Sequence, residues 1–204
     1  GSTLFTKCKK RYWERPHVVG YPLILAVQDF HAPRPMIWSS SALYGIRQVE
    51  RKRYDGSVEI VSEPVETYMW EGKEIPAGFF LLQPDTENIS AVLTNPIGSI
   101  SKFNRIGFLA GFGDRDIRML REGICYRDTL IPQKFVDEVY SPDYHETWCE
   151  GLSGYHNPRA NQPLSTDAIP SAAHHSSREG RILSELPPFH PVGSITCIVA
   201  PAKL

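Results

Sequence analysis

The residues best suited to chemistry in this chain are carboxylates beside lysines, scattered histidines and cysteines, and two basic clusters. A metal-dependent nuclease needs carboxylates to hold Mg²⁺ and a lysine to orient or activate water. Two triplets have that composition, Glu50-Arg51-Lys52 and Glu71-Gly72-Lys73. Asp29, expected where an upstream strand ends, completes the first, so this reading predicts Asp29, Glu50 and Lys52 as a catalytic set. Both triplets lie beside turn signals rather than inside apolar strands. The plainer reading is a chance pairing of surface charges.

Histidine and cysteine suggest a metal. His145 and Cys149 are spaced i, i+4 and share a face if that stretch is helical, with His156 and the His174-His175 pair downstream. His145, Cys149, His156 and His174 are therefore the predicted ligands of a divalent metal cofactor, since zinc takes such donors tetrahedrally. The spacing matches no zinc module, and hydrogen-bonded loop histidines are the competing reading. Cys149 beside His145 or His156, oriented by Asp143 or Glu146, also has the composition of a thiolate pair, against which stands a buried inert cysteine.

Two basic groups suggest phosphate. Gly98-Ser99 precedes an expected helix carrying Ser101, Lys102 and Arg105. A helix N-terminus with hydroxyls and two cations on one face can hold an anion, so Gly98, Ser99, Ser101, Lys102 and Arg105 are predicted phosphate contacts. The Gly-Lys-Ser/Thr ending of a P-loop is missing, and a serine-capped helix with a solvated basic face is the alternative. Near the start, Lys7, Lys9, Lys10, Arg11 and Arg15 interleave with Tyr12 and Trp13. Lys7, Lys10, Arg11 and Trp13 are the predicted nucleic-acid contacts, cations for phosphates and an aromatic for stacking. The alternative packs the aromatics inward and leaves the lysines to water.

These residues need a scaffold. Thr3 to about Glu14 reads as a helix with Leu4, Cys8 and Tyr12 on one face, ended by Pro16. Leu23 to Val27 is an unbroken apolar run that predicts a strand central to a sheet. Ala32 to Pro35 reads as a loop, and Ser39-Ser40-Ser41 as caps for a short helix through Tyr44 and Ile46. Asp55-Gly56 predicts a type I′ hairpin between Gln48–Tyr54 and Val58–Val61. A further turn follows near Glu71-Gly72-Lys73. Strands are expected at Ile89–Thr94, Ile117–Tyr126, Phe135–Tyr140, Arg181–Leu186 and Ser194–Ala200. A helix over Ile100–Leu109 presents Ile100, Phe103 and Ile106 at spacing three. Ser141 to Ser171 is dense in turn residues and reads as a long irregular segment.

The 204 residues suffice for one main core, and 41% hydrophobic with 22% charged residues is ordinary globular composition. The reading is α+β, a mixed or mainly antiparallel sheet with two principal helices, in a single domain over 1–204. The formal net charge of -1 provides no global field for nucleic acid, so such a partner needs a local patch. No apolar run approaches a bilayer span and no leader is visible, which predicts no membrane partner. Four cysteines without a CxxC pair predict free thiols and a cytoplasmic chain. A helix that begins at once and feeds a strand read as central predicts a chain continuing upstream.

Several segments together carry a resemblance: Lys9-Lys10-Arg11-Tyr12-Trp13-Glu14, Ala26-Val27-Gln28-Asp29-Phe30-His31, Lys73 to Phe80, Glu87 to Leu93, Gly98 to Gly107, Ala173-His174-His175 and Phe189-His190-Pro191. They resemble a family of longer uncharacterised bacterial proteins, over most of this chain. In longer members, the part upstream of the basic helix resembles a restriction-endonuclease-like core, bearing metal-binding carboxylates and a catalytic lysine. That part has no counterpart in this sequence. The resemblance implies a nuclease connection without supplying its active site. Three readings follow: the phosphate-contacting downstream part of a nuclease-like protein, a non-catalytic binding or structural module, and a metal-dependent hydrolase built on histidine and cysteine.

Overall fold

Alternating apolar and polar residues, punctuated by glycine and proline turns, favour short strands over long helices. The structure, a computed structural model, describes residues 2–28, 35–70, 72–114, 116–128 and 131–199. Within them lie α1 (Ser2–Cys8), α2 (Pro35–Tyr44), α3 (Phe79–Leu82) and α4 (Ile100–Leu109). The strands are β1 (Ile24–Val27), β2 (Ile46–Lys52), β3 (Val58–Pro64), β4 (Thr67–Trp70), β5 (Lys73–Pro76), β6 (Ala91–Thr94), β7 (Arg118–Arg127), β8 (Gln133–Glu138), β9 (Ser153–His156), β10 (Ala173–Arg178), β11 (Arg181–Glu185) and β12 (Phe189–Val199). The class is α+β. No helix among the described residues is long and apolar enough to cross a membrane, and all four cysteines are free thiols.

The largest sheet runs β1-β6-β9-β10-β11 and is mixed: β1 with β6 and β9 with β10 are parallel, the other pairs antiparallel. Leu25, Val92 and Tyr155 lie in register across it and share one face with His175 and Ser184. That face packs on Leu4, Leu43 and Phe80 from the first three helices, forming the principal core. The Tyr44 hydroxyl sits between the backbone carbonyls of His156 (2.9 Å) and His175 (2.8 Å), tying α2 to β9 and β10. A second sheet, β12-β7-β8, is antiparallel. Its register shifts between Pro191 and Gly193, so Val192 has no partner across the ladder. Gly123 faces this irregularity, where a Cβ would come within 2.1 Å of the Gly193 carbonyl.

Several expectations change. The first helix stops at Cys8, because Arg11 turns left-handed (φ 47°) before a 3-10 turn over Tyr12–Glu14. A continued helix would stack Lys7 against Lys10 and Arg11, like charges at i+3 and i+4. Instead Arg11 pairs with Glu14 at 2.6 Å. The next helix begins early, at Pro35, whose fixed φ suits a first helical position. β1 is an edge strand of its sheet, with Ala26 exposed. The β2–β3 hairpin exists, yet its turn is not type I′. Bonds from Arg53 N to Ser57 O and from Gly56 N to Arg53 O, with Gly56 at φ 83°, make a three-residue loop with a glycine bulge. The segment read as irregular contains β9, the middle strand of the largest sheet.

Candidate functional site

Two polar regions stand out from the apolar packing, and the residues singled out by the sequence divide unevenly between them. The first lies under α4. Its apolar residues Ile100, Phe103 and Ile106 recur at spacing three, yet Ile100 is 79% exposed while Lys102 and Arg105 are buried. The helix is turned inside out by what lies beneath it. Arg105 donates from Nε and Nη2 to the two carboxylate oxygens of Glu146, both at 2.8 Å, and from Nη1 to the Thr196 hydroxyl on β12. Tyr144 donates to the same carboxylate at 2.8 Å. Arg121 of β7 lies 2.6 Å from Glu150 and 3.6 Å from Glu146, its guanidinium over the Phe135 ring at 5.2 Å. Lys102 donates to the backbone carbonyls of Glu150 (2.7 Å) and Trp148 (3.2 Å).

Burial governs the proton affinities here, and neighbours decide the outcome. It pushes Lys102 below the usual lysine value despite the nearby Glu146 and Glu150. Burial alone would raise Glu146, but hydrogen bonding from Arg105 and the charges of Arg121 and Arg105 outweigh it and hold the carboxyl below its usual range. Burial lifts Glu150 above that range against the pull of Arg121. Glu150 is therefore the carboxylate that accepts a proton first. Burial also opposes the charge on Arg121, and the facing Glu150 and Glu146 hold its pKa up.

This cluster clamps residues 144–150 to α4, β7 and β12. Lys102 and Arg105, predicted to face phosphate, instead hold a loop from inside. Ser99 does cap α4, its hydroxyl accepting from Lys102 N at 3.4 Å. Gly98 packs close to the Gln28 side chain, where a Cβ would approach within 3.0 Å. Ser101 is half-buried on the same helix.

The second region is the histidine-bearing part of the largest sheet. Extended backbone sends His174 and His175 to opposite faces. On one face the His156 Nε2 stands 2.9 Å from the His174 Nδ1, and the His174 Nε2 meets the Ile169 carbonyl at 3.2 Å. On the other, His175 is 2% exposed, stacks on Tyr155 at 4.6 Å, and places Nδ1 2.8 Å from the Ser184 hydroxyl. Its Nε2 has no hydrogen-bond partner among the described residues. Nearby, the buried His190 places Nε2 3.3 Å from the Ser153 hydroxyl. Burial pushes His175 down to about 3 and His190 down to about 4, so both rings are neutral at pH 7.

His175, Ser184 and Tyr126 border a cleft of about 840 Å³, walled by Gln48 and Ser62 of the β2–β3 hairpin and by β11. Ile60 and Leu183 stand exposed at its rim.

Of the predicted metal ligands, the structure brings His156 and His174 together. His145 is exposed and Cys149 half-buried in a stretch of turns rather than a helix, so their i, i+4 spacing creates no common face. Among the described residues no three His, Cys, Asp or Glu side chains already stand within reach of one ion. In the predicted catalytic set, Asp29 and the Glu50 side chain lie outside the described residues, and Lys52 is exposed on β2 near the hairpin tip. Lys7, Lys10 and Arg11 are exposed, whereas Trp13 packs against the principal core, as in the alternative reading of that segment.

Ser184 and Arg121 were not among the predicted site residues, and His175 and Glu146 entered only as part of the histidine pair and as an orienting carboxylate for Cys149. The signal for Ser184 was Glu179-Gly180, two residues with positive φ (51° and 71°) that reverse β10 into β11 and set His175 opposite Ser184. No protein-family model, no curated protein and no solved structure matches the chain.

Proposed function

We propose that this chain is a binding module whose ligand occupies the cleft between the β2–β3 and β10–β11 hairpins. The observation that carries this reading is His175, a neutral ring in the cleft wall with an unpartnered Nε2. A buried polar nitrogen left unpaired costs about 1–3 kcal/mol. A ligand that reaches this buried nitrogen from the cleft, by shifting the side chains that cover it, recovers that cost. The cleft volume falls within the ~300–1,000 Å³ usual for small-molecule sites. Polar Gln48, Ser62 and Ser184 with apolar Ile60 and Leu183 suit a small ligand with an apolar body and a hydrogen-bonding edge. Because His175 is neutral, recognition there works through a hydrogen bond rather than a charge.

The test is a titration of nucleosides, amino acids and sugar acids, followed by NMR at the His175 ring and the Ile60 and Leu183 methyls. Saturable shifts from one class, abolished by His175→Phe, support the reading. Silence from every class, or binding that survives the substitution, overturns it.

A second reading keeps the phosphate-contacting role suggested by the nuclease-like resemblance and places it on the surface. Lys7, Lys10 and Arg15 are exposed around Tyr12, with the Arg15 guanidinium 4.6 Å from that ring. Lys7→Glu with Lys10→Glu should then weaken binding to a single-stranded oligonucleotide and flatten its salt dependence.

A further inference from the structure

The face of the sheet opposite the cleft carries a different kind of unfinished chemistry. A carbonyl oxygen only accepts, so the contact between the His174 Nε2 and Ile169 fixes a ring proton on Nε2 and leaves a lone pair on Nδ1. That lone pair faces the His156 Nε2 at 2.9 Å. The two inner ring nitrogens converge there, with the outer nitrogen of His174 fixed on a carbonyl, the arrangement that orients histidine on a metal.

A third donor is in register. Glu185 of β11 lies directly opposite His174 in the antiparallel pair, so its side chain emerges on the same face. Such pairs have Cβ atoms about 4.5–5.5 Å apart. Glu185 is exposed and free to swing about its own side-chain bonds. Gly154, opposite His174 on the other side, keeps the space open: a Cβ there would already stand 3.6 Å from the His174 Nδ1 and 3.3 Å from Leu93. We propose that His156, His174 and Glu185 form a binding site for a divalent transition metal of the zinc type, with solvent in the fourth position. Tetrahedral bonds of about 2.0–2.1 Å require the two nitrogens to part by only a few tenths of an ångström, and Glu185 to rotate inward.

The experiment uses the whole chain, stripped with chelator and titrated with Zn²⁺ at pH 7.5 by calorimetry, with elemental analysis of the product. One Zn²⁺ per chain is expected. Loss of a ligating imidazole should weaken binding by about 100-fold or more in His156→Gln and His174→Gln, and loss of the carboxylate by about 10-fold in Glu185→Gln. His145→Ala and Cys149→Ser should leave it unchanged. The glutamine variants keep a neutral polar group in place, and their far-UV spectra check that they fold. As an independent readout, Zn²⁺ should shift the His156 Nε2 and His174 Nδ1 resonances in ¹⁵N spectra. Substoichiometric metal, affinity indifferent to the histidine substitutions, or rings that ignore Zn²⁺ and merely share a proton would each overturn the proposal.

Discussion

The cluster under α4 and the histidines of the large sheet are both polar groups set into apolar surroundings, and they differ in charge: ions that face one another in the first, neutral rings in the second. Beneath α4, Arg105 and Glu146 meet through two parallel hydrogen bonds and Tyr144 and Thr196 join them, while Arg121 pairs with Glu150 at 2.6 Å and keeps Nε and Nη2 without a hydrogen-bond partner among the described residues. In the sheet, His175 and His190 each keep one ring nitrogen without a partner. The comparison separates two uses of buried polarity. Charges that answer one another fix a loop in place, whereas the neutral rings hold their positions through single hydrogen bonds and stacking.

The comparison can be broken most sharply at Glu146. Glu146→Ala strands the buried Arg105 guanidinium and should cost about 3–5 kcal/mol in urea unfolding. A loss below about 1 kcal/mol would mean that water reaches the cluster and that the clamp is not what holds the loop.

Acid should distinguish the two regions next. The folded pKa of His190 is depressed to about 4, so between pH 6.5 and 4 the unfolded chain binds a proton that the native ring refuses. Stability therefore falls as pH falls through that window, by up to about 1.4 kcal/mol per pH unit, approaching about 3 kcal/mol near pH 4. His190→Gln should remove about half of the slope, because His175, depressed to about 3, contributes a like amount over the same window. Glu146, depressed in its own range, gives stability that is present above the unfolded carboxylate pKa and lost only as pH drops through its lower folded value. The histidine region should thus weaken first and the Arg105–Glu146 pair later, while Glu150, whose raised pKa makes the native state the better proton binder, offsets part of the fall. Coincident loss of both would erase the distinction.

Smaller effects sharpen the boundary between the regions. Gly151 lies between Glu150 of the cluster and Ser153 of β9. It has φ 77°, and a Cβ there would fall 2.5 Å from the Ile97 side chain. Gly151→Ala should cost about 1–3 kcal/mol through strain and overpacking, read as a lower melting midpoint. Tyr44→Phe removes the hydroxyl that ties α2 to the carbonyls of His156 and His175, and should cost about 1 kcal/mol in the same measurement.

Local patterns were legible in the chain where neighbours in sequence decide them. The β2–β3 hairpin, β4 and β5, β7 and the bounds of α4 all follow from turn residues and apolar periodicity. What escaped depends on distant partners. The apolar spacing of Ile100, Phe103 and Ile106 gives the extent of α4 correctly and its buried face wrongly, because Glu146 and Glu150 arrive from a loop some 40 residues on. β9 has only four residues, one of them glycine, followed by Asn157-Pro158. Such a segment reads as turn until β6 and β10 flank it. Two of the predicted ligands, His156 and His174, stand 2.9 Å apart, although the helical spacing that first drew attention to His145 and Cys149 has no part in bringing them together.

The irregularity in β12 works as a change of parity. His190 pairs with Tyr126 and Thr196 with Arg121, and five residues separate those partners along β7. An odd interval in regular extended chain means opposite sides. Six residues separate His190 from Thr196 on β12, an even interval that would put both on one side. The unpaired Val192 reconciles the two counts. One strand can thereby offer a ring to the histidine sheet and a hydroxyl to the arginines behind it. Giving Val192 a partner, by one residue inserted opposite it in β7, would make both intervals even and force the strand to serve only one of its two clients.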